Sequence, residues 1–229
     1  ECVPEDLSLK RDLFSLLDKL TPKRVVLASS SSAITASEFA GGLSGANRCL
    51  VAHPANPPFL LRVVEIVPAP FTSKTIARQA VDFMKSVGFK PILVKKEVGG
   101  FVFNRLQGAL LREAYRLVRD GVCSVEDIDI LVREGLGLRW SVIGPFETAD
   151  LNRRGGIREH AKIMGPAYAV MGQQRGENNP WTPELSAKVE EERRALLPLE
   201  QWEERVRWRD QQLMRIISKL SDREEEDYS

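Results

Sequence analysis

The sequence lacks the features of several large classes of protein. It has no run of about 18 consecutive apolar residues, so no membrane-spanning helix is expected. Its 33 basic residues are balanced by 32 acidic ones, which argues against nucleic acid or an anionic membrane as a partner. Its three cysteines, Cys2, Cys49 and Cys123, are far apart and form no CxxC pair. This pattern favours reduced thiols in the cytoplasm over a disulfide framework or a metal site.

Two further absences concern the start of the chain and phosphate binding. The chain begins with Glu1, and "ECVPEDL" has neither the basic nor the apolar region of a signal peptide, so we expect it to begin inside a longer protein. No GxGxxG motif occurs anywhere. The stretch "GLGLRW" at 135–140 lacks the third glycine and follows a helical pattern, so it does not predict a dinucleotide-binding loop. Histidine is scarce as well, because only His53 and His160 are present.

The first 98 residues alternate between helical and strand patterns. Leucines at helical spacing predict a helix over 5–20, and "SKTIARQAVDFMKSVG" predicts a second helix over 73–88. Short apolar runs, two of them ending in prolines, predict four strands at 23–30, 48–54, 62–70 and 90–96. This alternation predicts an α/β domain with a mostly parallel sheet.

The second half, 99–229, has no convincing strand pattern after Gly99 and Gly100. It is expected to be all-helical, with a domain boundary near residue 98. The predicted helices cover 101–120, 125–134, 157–172, 183–196 and 199–220. The acidic end, "SDREEEDYS" at 221–229, is expected to be a disordered tail.

Chemistry-bearing side chains follow the predicted strands. His53, in "VAHPANPPF", lies at the end of one strand, and Glu65 lies inside the apolar run "LRVVEIV". A carboxylate in such a run needs a partner to offset its desolvation, and a histidine beside it would be oriented as a general base. From the pattern alone, a structural histidine and a solvent-exposed edge strand remain open alternatives. The serines of "ASSSSAIT" and the amide of Asn104 are further candidates, although a polar turn and a helix cap would explain them equally well.

Taken together and in this order, "ASSSSA", "AHPANPP", "LRVVEIVPAP" and "GGFVFNRL" resemble the 3-hydroxyacyl-CoA dehydrogenase family, and "GPFETADL" fits as well. Within that family, "HPANPP" and "GLRWSVIGPFET" look more like the branch that acts on small 3-hydroxy acids. The resemblance implies that residues 1–98 form the C-terminal half of a Rossmann-type NAD-binding domain, without its GxGxxG half. It implies that 99–229 form an all-helical domain that makes a homodimer.

The resemblance also implies roles for single residues. His53 would be the general base for the C3 hydroxyl, Glu65 would orient it, and Ser32 and Asn104 would hydrogen-bond the reacting oxygen. Contacts to NAD would fall on three residues: Glu5, Lys10 and Ser30. A guanidinium suits an anionic sugar acid, so we expect Arg139 to bind the substrate carboxylate.

The reaction that the resemblance implies is NAD-dependent oxidation of L-gulonate to 3-dehydro-L-gulonate. The alternatives within the family are a carnitine dehydrogenase and a true 3-hydroxyacyl-CoA dehydrogenase. A carnitine dehydrogenase should have an aromatic cage for the quaternary ammonium, and none can be assigned from the sequence. A catalytically silent structural protein of the crystallin type is the alternative from another class. Without the pyrophosphate-binding loop, the chain is expected to bind NAD poorly.

Overall fold

A computed structural model describes residues 1–174 and 183–226. Its sheet contains four strands in the order β1-β2-β3-β4, at Leu27–Ser29, Cys49–Pro54, Val63–Pro68 and Lys90–Leu93. The pairs β1–β2 and β3–β4 are parallel, whereas β2 and β3 are antiparallel. The predicted mostly parallel sheet is therefore confirmed, and each strand is shorter than its apolar pattern suggested. The antiparallel pair brings the carboxyl end of β2 beside the amino end of β3.

The first three helices of the chain begin with side-chain caps. Helix α1, Leu7–Leu20, starts where the Asp6 carboxylate accepts a hydrogen bond from the main-chain N–H of Leu9 at 2.8 Å. Helix α3, Lys74–Ser86, starts where the Ser73 hydroxyl accepts one from Ile76. Between them, the short helix α2, Ala36–Ala40, begins with a capping box of Thr35 and Glu38. Such caps satisfy main-chain donors that a helix leaves unpaired.

A buried ion pair fastens the end of α1 to the start of β2. The Arg48 guanidinium is 2.8 Å from the Asp18 carboxylate and also donates to Thr21 and to the carbonyl oxygen of Pro22. Its side chain is only 2% exposed, so these acceptors replace the water that the charge has lost. The guanidinium lowers the pKa of Asp18 below its ordinary value, burial opposes this, and hydrogen bonds from Gly45 and Ser44 assist it.

The sheet separates two apolar clusters because successive strand residues point to opposite faces. One face packs against α1 and α2, and its buried residues include Phe14, Phe39, Cys49, Val51, Val67 and Phe101. The other face packs against α3, and its buried residues are Leu50, Ala52, Val64, Ile66, Ile76 and Ala80. His53 and Glu65 follow the same alternation as Val51 and Val67, so they lie on the face of the first cluster.

Contacts divide the chain into two compact units, Glu1–Gly108 with Val206–Ser229, and Ala109–Arg205. The remaining helices are α4 Phe103–Arg119, α5 Val125–Ile130, α6 Leu138–Trp140, α7 Pro145–Leu151, α8 Gly156–Gln174, α9 Pro183–Leu196 and α10 Trp202–Glu226. The all-helical character of the second half is confirmed within the described residues.

Two helical predictions differ from the structure. The helix expected over 125–134 ends as an α-helix at Ile130 and continues as a π-helix over Leu131–Gly137, where two glycines remove side chains that would favour regular α-helix. Helix α10 runs to Glu226, past the predicted start of a disordered tail at 221, because glutamate is a good helix former. No helix among the described residues is long and apolar enough to cross a membrane.

Candidate active site

His53 and Glu65 are brought together by the pairing of β2 with β3. The two residues are direct partners in the antiparallel register, so their side chains leave the same face of the sheet side by side. Nδ1 of His53 is 2.8 Å from Oε2 of Glu65, and their side chains are 8% and 5% exposed. A carboxylate can only accept, so Nδ1 is the donor in this pair, and in the neutral imidazole that arrangement places the lone pair on Nε2. A solvent-exposed position for Glu65 is thereby excluded.

The second oxygen of Glu65 holds the chain at the start of α4. Oε1 accepts hydrogen bonds from the main-chain N–H groups of Val102 at 2.8 Å and Phe103 at 3.0 Å. Together with His53, these donors give the buried carboxylate three hydrogen bonds, which offset the cost of removing it from water. One side chain therefore fixes both the imidazole and the turn into α4.

That turn contains Phe101, which the sequence reasoning did not single out. Phe101 is fully buried with a positive φ of 50°, and its ring centroid lies 5.6 Å from that of His53. A bulky residue rarely adopts this left-handed conformation, and the preceding Gly100, at φ 73°, adopts it at little cost. Phe103 also approaches the imidazole edge-on, at 6.3 Å. The "GGF" stretch was the available signal, since paired glycines mark a special backbone and an adjacent aromatic can be held by it.

Residues 30–35, which connect β1 to α2, form the serine loop, and Asn104 contacts Ser32 through the main chain of this loop. The Nδ2 of Asn104 donates to the carbonyl oxygen of Ser32 at 2.8 Å. Because Asn104 directly follows the two amides that Glu65 binds, the four residues expected to act on substrate form one connected set. Their catalytic roles stay predictions.

Glu5 fixes the backbone of the serine loop by accepting hydrogen bonds from it. Its Oε1 accepts from the Ser31 hydroxyl at 2.6 Å and from the main-chain N–H groups of Ser32, Ala33 and Ile34. Burial acts to raise the pKa of Glu5, but these hydrogen bonds and the charge of Lys10 outweigh it and lower that pKa below its ordinary value. Glu5 therefore holds the backbone that carries Ser32.

The other residues expected to bind cofactor or substrate have different surroundings. Lys10 is fully buried, and its ammonium contacts Glu1, the carbonyl oxygen of Val3 and the Ser29 hydroxyl, so protein groups enclose it. Ser30 is half-buried and immediately follows β1. Arg139 lies exposed on α6, in the second unit. The contacts of all three with ligands stay predictions.

Burial makes Cys49 an unreactive thiol. All three cysteines are free, with Cys2 exposed, Cys123 half-buried and Cys49 buried. Burial raises the pKa of the Cys49 thiol to about 11, the charge of Asp18 adds to this, and Arg48 opposes it. A thiol that stays protonated is a poor nucleophile and a poor metal ligand. Within the described ranges, no group of three or more His, Cys, Asp or Glu side chains could hold a metal ion.

Two family profiles match consecutive parts of the chain. Residues 1–98 match the 3-hydroxyacyl-CoA dehydrogenase NAD-binding domain, and residues 100–195 match the C-terminal domain of that family. The chain belongs to the 3-hydroxyacyl-CoA dehydrogenase family. The sequence-based assignment to this family and to an NAD-binding fold is thus confirmed.

Similar proteins within the family include lambda-crystallins and a carnitine dehydrogenase. The human lambda-crystallin homolog is 39% identical over 94% of this chain and 68% of its own length. Rabbit (Oryctolagus cuniculus) lambda-crystallin is 47% identical over 68% of this chain and 49% of its own length. L-carnitine dehydrogenase of Pseudomonas aeruginosa is 40% identical over 81% of this chain and 57% of its own length. The chain spans between 49% and 69% of the length of the lambda-crystallin relatives it matches.

Solved structures of other dehydrogenases share the fold. A 3-hydroxyacyl-CoA dehydrogenase of Archaeoglobus fulgidus superposes with a TM-score of 0.65 at 25% identity, covering 96% of this chain and 76% of that one. An NAD⁺-dependent dismutase, 5-formyl-3-hydroxy-2-methylpyridine 4-carboxylic acid 5-dehydrogenase, superposes with a TM-score of 0.69 at 29% identity, covering 88% and 71%.

The cofactor of this family is NAD, and the first unit contains residues that fit part of an NAD-binding site. Dinucleotides bind at the carboxyl ends of parallel strands in such folds. Ser30 follows β1, and His53 lies at the end of the parallel β2, so both belong to that edge. These residues fit the reactive end of the cofactor, whereas the enclosed ammonium of Lys10 offers it no free donor.

Proposed function

We propose that this protein oxidises the C3 hydroxyl of a small 3-hydroxy acid with NAD, and that the substrate is L-gulonate, giving 3-dehydro-L-gulonate. The observation that supports this most is the pairing of Nδ1 of His53 with Glu65 at 2.8 Å, in a buried site at the carboxyl edge of β2. An imidazole held in this way is a general base of fixed tautomer.

In the proposed reaction, Nε2 of His53 takes the proton of the C3 hydroxyl while the C3 carbonyl forms. The charge of Glu65 then stabilises the imidazolium, as a buried carboxylate does for a neighbouring cation. Bound NAD supplies the acceptor for the hydride that leaves C3. Asn104 keeps a second amide hydrogen beyond the one it donates to Ser32, and the hydroxyl of Ser32 has no partner among the described residues. Both can donate to the reacting oxygen.

The choice of L-gulonate rests on the similarity to lambda-crystallins and on Arg139 as the proposed partner of the substrate carboxylate. The L-carnitine dehydrogenases, at 37% and 40% identity, support carnitine as a second candidate. A quaternary ammonium needs several aromatic faces around it. The aromatic rings that contact His53 are those of Phe101 and Phe103. Because Phe101 is fully buried, its ring is not available to surround a quaternary ammonium, and this favours L-gulonate over carnitine.

The test is a substrate panel with two matched histidine variants. NADH formation is followed with L-gulonate, L-carnitine and 3-hydroxybutyryl-CoA, and NAD binding is measured separately by calorimetry. Because the chain has no GxGxxG motif, NAD is supplied at concentrations that saturate the binding measured by calorimetry. At saturation we expect turnover with L-gulonate, its loss in His53→Ala, and its retention in His160→Ala, which removes the other histidine of the chain. Binding of NAD without oxidation of any of the three substrates would favour a silent structural protein.

We also propose that the protein is a homodimer joined through its second unit, Ala109–Arg205, which is helical and is called the helical unit below. The second unit exposes many large apolar side chains, among them Val142 at 74%, Phe146 at 78% and Leu151 at 66%. Exposed apolar surface of this extent is typical of an interface. Nothing in the charge balance suggests nucleic acid or a membrane as a partner.

A further inference from the structure

A groove on the first unit has no part in the site described above. It has a volume of about 810 Å³ and lies between α3 and the segment that follows β4. Both β3 and β4 end there, whereas β1 and β2 run in the opposite direction and end near His53. The groove and the His53–Glu65 pair therefore lie toward opposite ends of the sheet.

Positive charge is concentrated in this groove. Five cations line it, namely Lys74, Arg78, Lys85, Lys95 and Lys96, against two acids, Asp82 and Glu97. Over the whole chain the two signs are nearly equal, at 33 and 32, so the groove departs from the average.

The positive charges of the groove are not neutralised by the acids that line it with them. The Glu97 carboxylate is occupied by the main-chain N–H and the hydroxyl of Ser37. None of the five cationic side chains has a hydrogen-bond or ion-pair partner in the part of the chain that the structure describes. A cluster of exposed, unpaired cations raises the local concentration of negatively charged ligands.

The spacing of the cations indicates an elongated ligand. Lys74, Arg78 and Lys85 lie at i, i+4 and i+11 on α3, a span of about 16 Å at the rise of an α-helix. This span matches about five residues of extended peptide and exceeds the reach of a compact anion such as phosphate.

The floor between the cations is apolar and includes Pro68, Val81 and Leu93, the last of which is 50% exposed. The adjacent strand edge carries Pro91, which has no N–H to donate to an added strand. Recognition in the groove therefore depends on side chains.

We propose that this groove binds an extended acidic segment of a partner protein, in which carboxylates alternate with apolar side chains. The carboxylates pair with the lysines and Arg78 along the walls, and the apolar side chains cover Leu93 and the prolines. This inference is independent of the proposed dehydrogenase activity.

The experiment measures fluorescence anisotropy of two labelled hexapeptides, one of alternating Glu and Leu and one of alternating Glu and Ser. The protein is compared with the double variant Lys95→Glu/Lys96→Glu, and with Lys19→Glu/Lys23→Glu, which makes the same charge change at exposed lysines outside the groove. Leu93→Ser tests the apolar floor separately, and circular dichroism verifies folding of every variant.

We expect the Glu-Leu peptide to bind, and the groove double variant to weaken its binding about tenfold or more, which corresponds to about 1.4 kcal/mol. The Lys19/Lys23 variant should bind nearly as well as the wild type. Leu93→Ser should weaken the Glu-Leu peptide and leave the Glu-Ser peptide unchanged.

Several results would overturn the proposal. Equal weakening by the two double variants would mean that only overall charge matters, and undetectable binding of both peptides would remove the site. Full displacement of the peptide by tripolyphosphate at equal concentration would indicate a small-anion site. A change of oligomeric state in Lys95→Glu/Lys96→Glu, measured by analytical ultracentrifugation, would assign the groove to a second copy of this chain.

Discussion

At the scale of single residues, Glu65 connects two separate elements of the candidate site. Its two oxygens join β2 to the start of α4 through His53, Val102 and Phe103. Glu65→Gln keeps the shape but replaces one acceptor oxygen with an N–H donor group. Either Nδ1 of His53 must then accept from it in the other tautomer, or the main-chain N–H groups of Val102 and Phe103 lose their shared acceptor. We expect kcat to fall about a hundredfold or more, which is the contribution of an oriented general base.

Measuring the tautomer of His53 distinguishes an orienting role of Glu65 from a loss of folding in Glu65→Gln. Nitrogen NMR of labelled protein should show the proton on Nδ1 in the wild type and a mixture of tautomers in Glu65→Gln, with His160 as the internal reference. An unchanged His53 tautomer together with unchanged kcat would show that Glu65 does not orient the base.

Phe101 allows the backbone and side-chain contributions to be separated. Phe101→Ala should destabilise the protein by about 3–5 kcal/mol, since it empties a fully buried position. Phe101→Gly removes even more side chain but relieves the positive φ, so it should be about 1 kcal/mol more stable than Phe101→Ala. Urea unfolding of the two variants measures the difference, and a less stable glycine variant would show that the backbone is unstrained.

His53 and Glu65 could be singled out from the sequence because a titratable group in an apolar run is unusual. For Phe101 the paired glycines before it were the only sequence signal, and they do not give its role. An aromatic in an apolar stretch ordinarily belongs to the core, and the importance of Phe101 depends on its φ and on its contact with the His53 ring. Backbone conformation at one residue is decided by the tertiary contacts around it, which a single sequence does not display.

At the scale of elements, α3 depends on its cap. Ser73→Ala removes the acceptor for the N–H of Ile76 and should reduce the free energy of unfolding by about 1 kcal/mol. Ser86→Ala, at the other end of the same helix, removes only an exposed hydroxyl that bonds Phe83 and serves as the control. Equal effects of the two variants in urea unfolding would contradict the capping role.

All four strands were predicted, but the antiparallel pairing of β2 with β3 was not. The connection between them is only residues 55–62, and parallel strands need a crossover of about a dozen residues or more. The length of this loop therefore indicated that β2 and β3 are antiparallel. The π-helix over Leu131–Gly137 is different. Its two glycines weaken a regular α-helix, but the sequence does not specify which hydrogen-bond register replaces it.

At the scale of the whole molecule, two carboxylates link stability to pH. The pKa values of Asp18 and Glu5 are lowered in the folded protein by the hydrogen bonds and charges described above. A lowered folded-state pKa contributes stability that is fully present above the unfolded value and is lost as the pH falls through the folded value. We expect the urea midpoint to decrease between about pH 6 and about pH 3. Asp18→Asn should flatten this decrease, and Asp12→Asn, which removes an exposed carboxylate from the same helix, measures the effect of losing one negative charge alone.

The apolar surface of the helical unit leads to the last prediction. Phe146 follows the N-terminal proline of α7 and is 78% exposed, with no buried core contact to lose on substitution. If that face joins two copies, Phe146→Glu places a charge in the interface, and removing one charge from water there costs several kcal/mol. We expect analytical ultracentrifugation to show a dimer for the wild type and a monomer for Phe146→Glu, while circular dichroism stays the same. Glu147→Gln, at the neighbouring exposed position, controls for a general change of charge and should remain dimeric. A wild type that is monomeric at all concentrations, or a Phe146→Glu protein that stays dimeric, would place the interface elsewhere or remove it.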